Sequence, residues 1–144
     1  MTPIEQLYAS FLEVYILLDD NERHFFGRYG LSSARYHALL HISEAPGLSL
    51  RELSDFLLCT KGNTTRIVKS MEAHGLLTRQ VDQDDSRALC LYLTEKGHAL
   101  LEEVRLAYRE FKAACFGNLT PSEQEVLSRI FAQQKRHLRA RLRA

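Results

Sequence analysis

Ser49 to Gly97 reads SLRELSDFLLCTKGNTTRIVKSMEAHGLLTRQVDQDDSRALCLYLTEKG, and the order of its elements decides the fold. Ser49 with Glu52 three residues on is a capping box that opens a helix, and Leu50, Leu53 and Leu57 give that helix one apolar face. A tight turn around Cys59-Thr60 leads to a second helix from about Lys61. That helix stops at His74-Gly75, where glycine takes the left-handed conformation that ends helices. Two short strand candidates follow, Leu77 to Val81 and Ala88 to Leu93, joined by the acidic loop Asp82-Gln83-Asp84-Asp85-Ser86-Arg87. Helix, turn, helix and hairpin in that order are what a helix-turn-helix with a β-wing needs to grip duplex DNA. Double-stranded DNA is therefore the expected partner.

A wheel of 3.6 residues per turn over residues 60–74 sets Thr64, Ile67, Val68 and Met71 on one side, facing a core. Gly62, Thr65, Arg66, Lys69 and Ala73 occupy the other. Small residues there permit close approach, Thr65 donates or accepts, and Arg66 and Lys69 reach base edges or phosphates. Lys61 and Asn63 sit in the first turn, where free N–H groups and the positive end of the helix dipole favour phosphate. Charges at this spacing also suit an ordinary solvated helix face; the hairpin behind them tips the reading. Three aspartates in the loop repel phosphate, but Asp85 can hold the Arg87 guanidinium while the tip enters a narrow minor groove. The plain alternative is a surface turn with an ion pair contributing less than about 1 kcal/mol.

On either side lie long amphipathic stretches. Ile4, Leu7, Phe11, Val14, Leu18 and Phe25 recur at steps of three and four, which predicts one helix ending near Gly27 or Gly30. Ser33 to Ser43 predicts a short helix closed by Ala45-Pro46-Gly47. Past Thr94, Leu101, Val104, Tyr108, Phe111 and Cys115 form a seam that stops at Gly117. Thr120-Pro121-Ser122-Glu123 then opens a last helix carrying Leu127, Ile130, Phe131 and Leu138. Stripes this long are hard to bury against so small a middle, so a homodimer of intertwined ends is favoured over an intramolecular bundle.

The chain has 144 residues, 45% of them hydrophobic, enough for one core. The expected architecture is mainly α with a small β-wing (α+β), a single domain over 1–144 with a lobe at 31–97 and dimerisation helices at 1–30 and 98–144. A net charge of +1 excludes an indiscriminate polycation. Its distribution is uneven: Glu5, Glu13, Asp19, Asp20 and Glu22 precede the first basic residue, Arg23, whereas Arg129, Lys135, Arg136, Arg139, Arg141 and Arg143 follow the last acid, Glu125. The two ends therefore attract, within a chain or across a dimer. Neither a signal segment nor the roughly 20 apolar residues of a membrane span is present, so a cytoplasmic protein without membrane contact is expected. Cys59, Cys90 and Cys115 are widely spaced, with no C-x-x-C pair, and read as free thiols.

Taken together, residues 31–97 resemble the MarR family of bacterial winged helix-turn-helix transcription regulators. The shared pattern is Leu31, Leu53-Ser54, Thr65-Arg66, His74-Gly75-Leu76-Leu77-Thr78-Arg79, Asp85-x-Arg87 and Leu93-Thr94-Glu95-Lys96-Gly97. The resemblance implies a homodimeric repressor on a near-palindromic operator, released by a small aromatic or phenolic ligand. It makes Thr65 and Arg66 part of the recognition helix and Asp85 and Arg87 the wing pair. Two departures stand out: Gly62-Asn63 replace better helix formers, and Thr64 stands where the family has an aliphatic core residue, so its hydroxyl needs a backbone partner.

An effector pocket would draw on Tyr8, Tyr15, His24, Tyr29, Tyr36, His37 and His41, aromatic walls with polar tips that equally suit plain packing. His37 and His41 share a helix face to which His24 or Glu22 could add a ligand, so a metal-responsive regulator of the same fold is an alternative, but two histidines do not make a metal site and no cofactor is expected. Cys59, just ahead of the recognition helix, offers a redox-responsive alternative. Catalytic motifs are missing: there is no Gly-rich phosphate loop, G-x-S-x-G or H-E-x-x-H. An enzyme is not expected, and the rival reading is a winged-helix module for protein contact.

Overall fold

The computed structural model describes residues 1–85 and 88–144, and within them six α-helices and three short strands follow one another. The elements are α1 (Pro3–Gly27), α2 (Ser33–Glu44), β1 (Leu48–Ser49), α3 (Leu50–Leu57), α4 (Lys61–Ala73), β2 (Leu77–Val81), β3 (Leu89–Leu93), α5 (Glu95–Phe116) and α6 (Pro121–Arg143). This is the mainly helical fold with a small sheet that the sequence predicts. The chain divides into two compact units, Met1–Tyr108 and Arg109–Ala144.

Capping chemistry sets most helix starts. Thr2, Ser49 and Thr120 each close a capping box with the glutamate three residues on, Glu5, Glu52 and Glu123, satisfying orphan N–H groups at both positions. Those backbone donors hold the Glu5 and Glu123 carboxyls below the usual carboxylate range. Gly75 ends α4 with φ +74°, as its place after His74 predicts.

In the first unit the core gathers Phe26, Leu39, Ile42, Leu53, Val68, Met71, Leu77, Leu91, Leu101 and Val104, all essentially inaccessible to water. Of the face predicted for α3, only Leu53 is fully buried; Leu50 and Leu57 are half-buried, and Ser54 takes the other inner position by donating its hydroxyl to Leu50 O at 3.0 Å. The sheet is antiparallel in the order β1-β3-β2, with Leu77 opposite Leu93 and Val81 opposite Leu89. Its first strand is absent from the sequence expectation, because two residues, Leu48 and the capping Ser49, carry no period. Tertiary pairing creates it: Leu48 lies opposite Leu91, and Gly47 N donates to Leu91 O at 2.8 Å. Gly47 suits its place because φ is +86°, where an L side chain is strained, and a Cβ there would also press on the tip of Tyr92, 2.9 Å from its hydroxyl.

Thr94-Glu95-Lys96-Gly97 forms the joint between the hairpin and α5. Thr94 N donates to Leu76 O at 3.1 Å, its hydroxyl donates to Gly75 O at 2.6 Å, and the same hydroxyl accepts from Gly97 N at 3.0 Å. Lys96 Nζ donates to His74 O at 2.8 Å. Gly97 is buried against Leu76, where a Cβ would come within 2.1 Å of the carbonyl oxygen. These contacts satisfy the open carbonyls at the end of α4 and tie that helix to α5.

Aromatic side chains seal the far side of this unit. Phe26 packs against Tyr36 and Tyr108 with ring centroids 5.3 and 4.9 Å apart, and Phe25 stacks on Tyr108 at 5.5 Å. Tyr108 donates its hydroxyl to Glu22 at 2.7 Å. By contrast, the first four turns of α1 leave their stripe in water: Ile4 is 78% exposed and Val14 60%.

In the second unit, the end of α5 turns into α6 through residues 117–120. Gln124 Nε2 donates to Phe116 O and Leu119 O at 3.3 and 3.0 Å, pinning the turn. No residue of α6 is buried, although Ile130, Phe131 and Leu138 recur at helical spacing.

Candidate nucleic-acid interface

α4 divides as its periodicity predicts. Thr64, Val68 and Met71 are buried and Ile67 is half-buried, while Lys61, Gly62, Arg66, Lys69 and Ala73 are exposed. Asn63 and Thr65 are partly accessible. Thr60 caps the helix by accepting from Asn63 N at 3.2 Å. The buried Thr64 hydroxyl finds the backbone partner it needs, donating to Thr60 O at 3.1 Å. Thr65 likewise donates its proton to Lys61 O at 2.8 Å, which leaves its oxygen free to accept. Arg66 leans back to Asn63 Oδ1 at 3.4 Å, so the two side chains act as a pair at the start of the helix. Around Gly62 the surface is open, with nothing within 4 Å of a Cβ placed there.

Two long-range contacts that sequence reasoning missed hold α4 in place. Arg79 on β2 grips Glu72, Nε donating to both carboxylate oxygens at 3.2 and 3.1 Å and Nη2 lying 2.9 Å from Oε1. The hydrogen bond from Arg79 holds the Glu72 carboxyl below its usual range. Glu72 is the sole acid on α4, and this pairing offsets the charge that would otherwise oppose phosphate. From α2, Arg35 Nη2 donates to Ser70 Oγ at 2.7 Å. A basic residue facing a lone acid at a helix end could have signalled the first pair. Arg35 and Ser70 carry no local signal.

The turn between α3 and α4 is left-handed at Leu58, with φ 53° and ψ 34°. It is the one non-glycine residue with positive φ among the described residues, and its side chain is 93% exposed. Cys59 is half-buried with its thiol 3.4 Å from Leu57 O.

At the hairpin, Asp82 N donates to Ala88 O and Ala88 N to Asp85 O, both at 3.0 Å, while Asp84 N bonds the Asp82 carboxylate at 2.9 Å. Asp85 is exposed. The proposed partner of Asp85, Arg87, lies outside the described residues.

The seven residues suggested for an effector pocket do not converge within one chain. Tyr8 and Tyr15 stand exposed on α1, and His24, also exposed, bonds Asp20 O at 2.8 Å. Tyr36 is buried in the aromatic cluster, which raises its pKa by desolvation. His37 bonds Ser33 O at 2.7 Å, whereas His41 stacks on Phe56 with centroids 4.5 Å apart. Tyr29 alone lines a cleft, of about 200 Å³, with Gly30, Arg35, Ser70, Met71, His74, Leu76, Lys96 and Leu100. Among the described residues no three His, Cys, Asp or Glu side chains group as metal ligands, and no helix is long and apolar enough to cross a membrane.

Comparison with known proteins agrees with this geometry. A MarR family model matches residues 29–88. The HTH-type transcriptional regulator PrsX of Escherichia coli is 32% identical over 123 residues, covering 84% of this chain and 74% of PrsX. A putative MarR-like transcription regulator from Bacillus cereus superposes with a TM-score of 0.84 at 25% identity, over 93% of this chain and 96% of that one. A mutant of E. coli MarR, crystallised in complex with operator DNA, shares the fold with a TM-score of 0.78 at 22% identity, over 90% of this chain and 94% of its own. These relatives are regulators rather than enzymes. With its helix-turn-helix, its hairpin and its similarity to PrsX, this chain belongs to the MarR family of DNA-binding transcriptional regulators.

Proposed function

We propose that the protein is a homodimeric repressor that binds a near-palindromic operator and is released by a small aromatic or phenolic ligand. One observation carries the dimer: α1 exposes Ile4, Leu7, Phe11 and Val14 at 56 to 78%, and α6 exposes Ile130, Phe131 and Leu138 at 42 to 54%. Apolar stripes of this length on two helices ask for cover, and a second copy supplies it with self-complementary symmetry. In this reading residues 31–97 form the DNA lobe of a single 144-residue domain, with 1–30 and 98–144 as dimerisation helices.

Each lobe sets α4 in the major groove. Thr65, Arg66 and Asn63 read base edges, Lys61 and Lys69 neutralise phosphates, and Asp85 with Arg87 braces the wing in the minor groove. Two-fold symmetry then requires half-sites about one helical turn apart, roughly 34–36 Å between centres. For the effector, the cleft beside Tyr29 offers Arg35 and Lys96 to an acidic group and Met71, Leu76 and Leu100 to a ring. A ligand seated there touches α2, α4 and α5 together, so occupancy bears on the angle of the recognition helix.

Selection of bound sequences from a random duplex pool, followed by gel shift at fixed salt, tests the operator. A two-fold site is expected, with Lys61→Ala and Lys69→Ala each lowering the salt slope by about 2, one phosphate contact in each protomer. Light scattering that gives a monomer at micromolar concentration defeats the dimer. A panel of aromatic acids that leaves the operator complex intact at millimolar concentration defeats release.

A further inference from the structure

We propose that Leu58 is a specificity-determining residue, packing its side chain on the C5-methyl group of a thymine in each half-site. The inference rests on α4 being the element that enters the major groove. It starts from a residue that is wrong for its backbone. The residue that closes a helix in the left-handed conformation is ordinarily glycine or asparagine, because a β-carbon there crowds the carbonyl oxygen. Leucine occupies it here at φ 53°, where the turn closes α3 with Leu58 N donating to Asp55 O at 3.4 Å and Cys59 N to Ser54 O at 3.3 Å, yet these bonds need no side chain, and the leucine is 93% exposed.

Position supplies the partner. Leu58 precedes Thr60, the cap of α4, by two residues, and consecutive Cα atoms are 3.8 Å apart, so its Cα lies within about 8 Å of the helix start. Lys61 and Asn63 are at that same end of the helix. A duplex close enough to meet Lys61 and Asn63 comes within leucine's reach. In the major groove the distinctive apolar feature of a base edge is the thymine methyl. An exposed leucine at the mouth of the reading helix is thus matched to a thymine rather than to a phosphate.

The experiment uses full-length protein and an operator from the selection above, with uracil replacing thymine one symmetric pair at a time. Wild type is expected to lose about 15-fold in affinity at one such pair, about 4-fold for each of the two methyls removed. Leu58→Gly is expected to bind the thymine operator less tightly by at least that factor and to ignore the uracil change. Leu58→Met, which keeps apolar reach, should retain the uracil sensitivity. Leu58→Gly removes no buried contact and suits the backbone, so a melting temperature at or above wild type separates a binding loss from unfolding. Wild-type indifference to uracil at every pair, or sensitivity that persists in Leu58→Gly, overturns the assignment. Arg66→Ala distinguishes the two layers. If Arg66→Ala weakens binding while Leu58→Gly does not, only the leucine contact fails; if neither weakens it, α4 is not the reading helix and the leucine contact falls with it.

Discussion

Gly97→Ala is the substitution that the structure penalises most sharply. A methyl at residue 97 would sit 2.1 Å from the Leu76 carbonyl oxygen, where ordinary contact begins at 3.4 Å, so backbone must give way by about 1.3 Å. Both partners are main chain, and neither can rotate aside. The same carbonyl accepts from Thr94 N at 3.1 Å, and the Thr94 hydroxyl accepts from Gly97 N at 3.0 Å, so the retreat stretches one of these bonds past useful length. Overpacking costs about 1–3 kcal/mol and an unmade buried hydrogen bond about 1–3 kcal/mol more. Together that is about 2–6 kcal/mol, a large part of the roughly 5–15 kcal/mol that holds a domain of this size folded. At about 3 °C per kcal/mol, the melting temperature should fall by about 6–18 °C. Far-UV circular dichroism at one fixed protein concentration measures it, concentration being held because association shifts apparent stability. Gly27→Ala, where a Cβ meets nothing within 4 Å, is the control and should move little. A Gly97→Ala protein melting within about 2 °C of wild type refutes the packing argument at this joint.

Three further substitutions probe other links. Thr60→Ala removes the cap of α4 and should cost about 0.5–2 kcal/mol by urea titration, with weaker operator binding as the first turn frays. Gly62→Ala should stabilise the helix by about 0.5–1 kcal/mol, because the site is open and alanine restricts the unfolded chain, yet lower operator affinity by adding bulk where the duplex approaches. A rise in both stability and affinity would take Gly62 out of the interface. Tyr36 has its pKa raised above the ordinary value of 10.0 by burial, so its contribution is complete below pH 10 and is lost as pH climbs through the raised folded value. Tyr36→Phe should therefore flatten the alkaline limb of the stability profile, and an unchanged limb would place the alkaline loss elsewhere.

Some features follow from local chemistry alone, because each depends on residues within one turn of one another. The capping boxes at Ser49 and Thr120, the left-handed stop at Gly75, the division of α4 into a Thr64-Val68-Met71 face and an Arg66-Lys69 face, and the two longer strands are of this kind. Helical and strand periods are written into nearest neighbours on one element, so a sequence carries them openly. The division of α4 into a buried and an exposed basic face was legible on the same grounds.

Contacts between elements far apart in the chain were a different matter. The β1 strand exists only because Leu48 meets Leu91, the Arg35 to Ser70 bond joins residues 35 apart, and the need for glycine at 97 arises from the Leu76 carbonyl. The same holds for Tyr36, whose helical spacing fits an effector wall as well as a core, and which packing places among Phe26 and Tyr108. Backbone hydrogen bonding and side-chain periodicity act over a few residues and are set by the chain itself. Close packing, by contrast, depends on which surfaces folding brings together, and only the tertiary structure decides that.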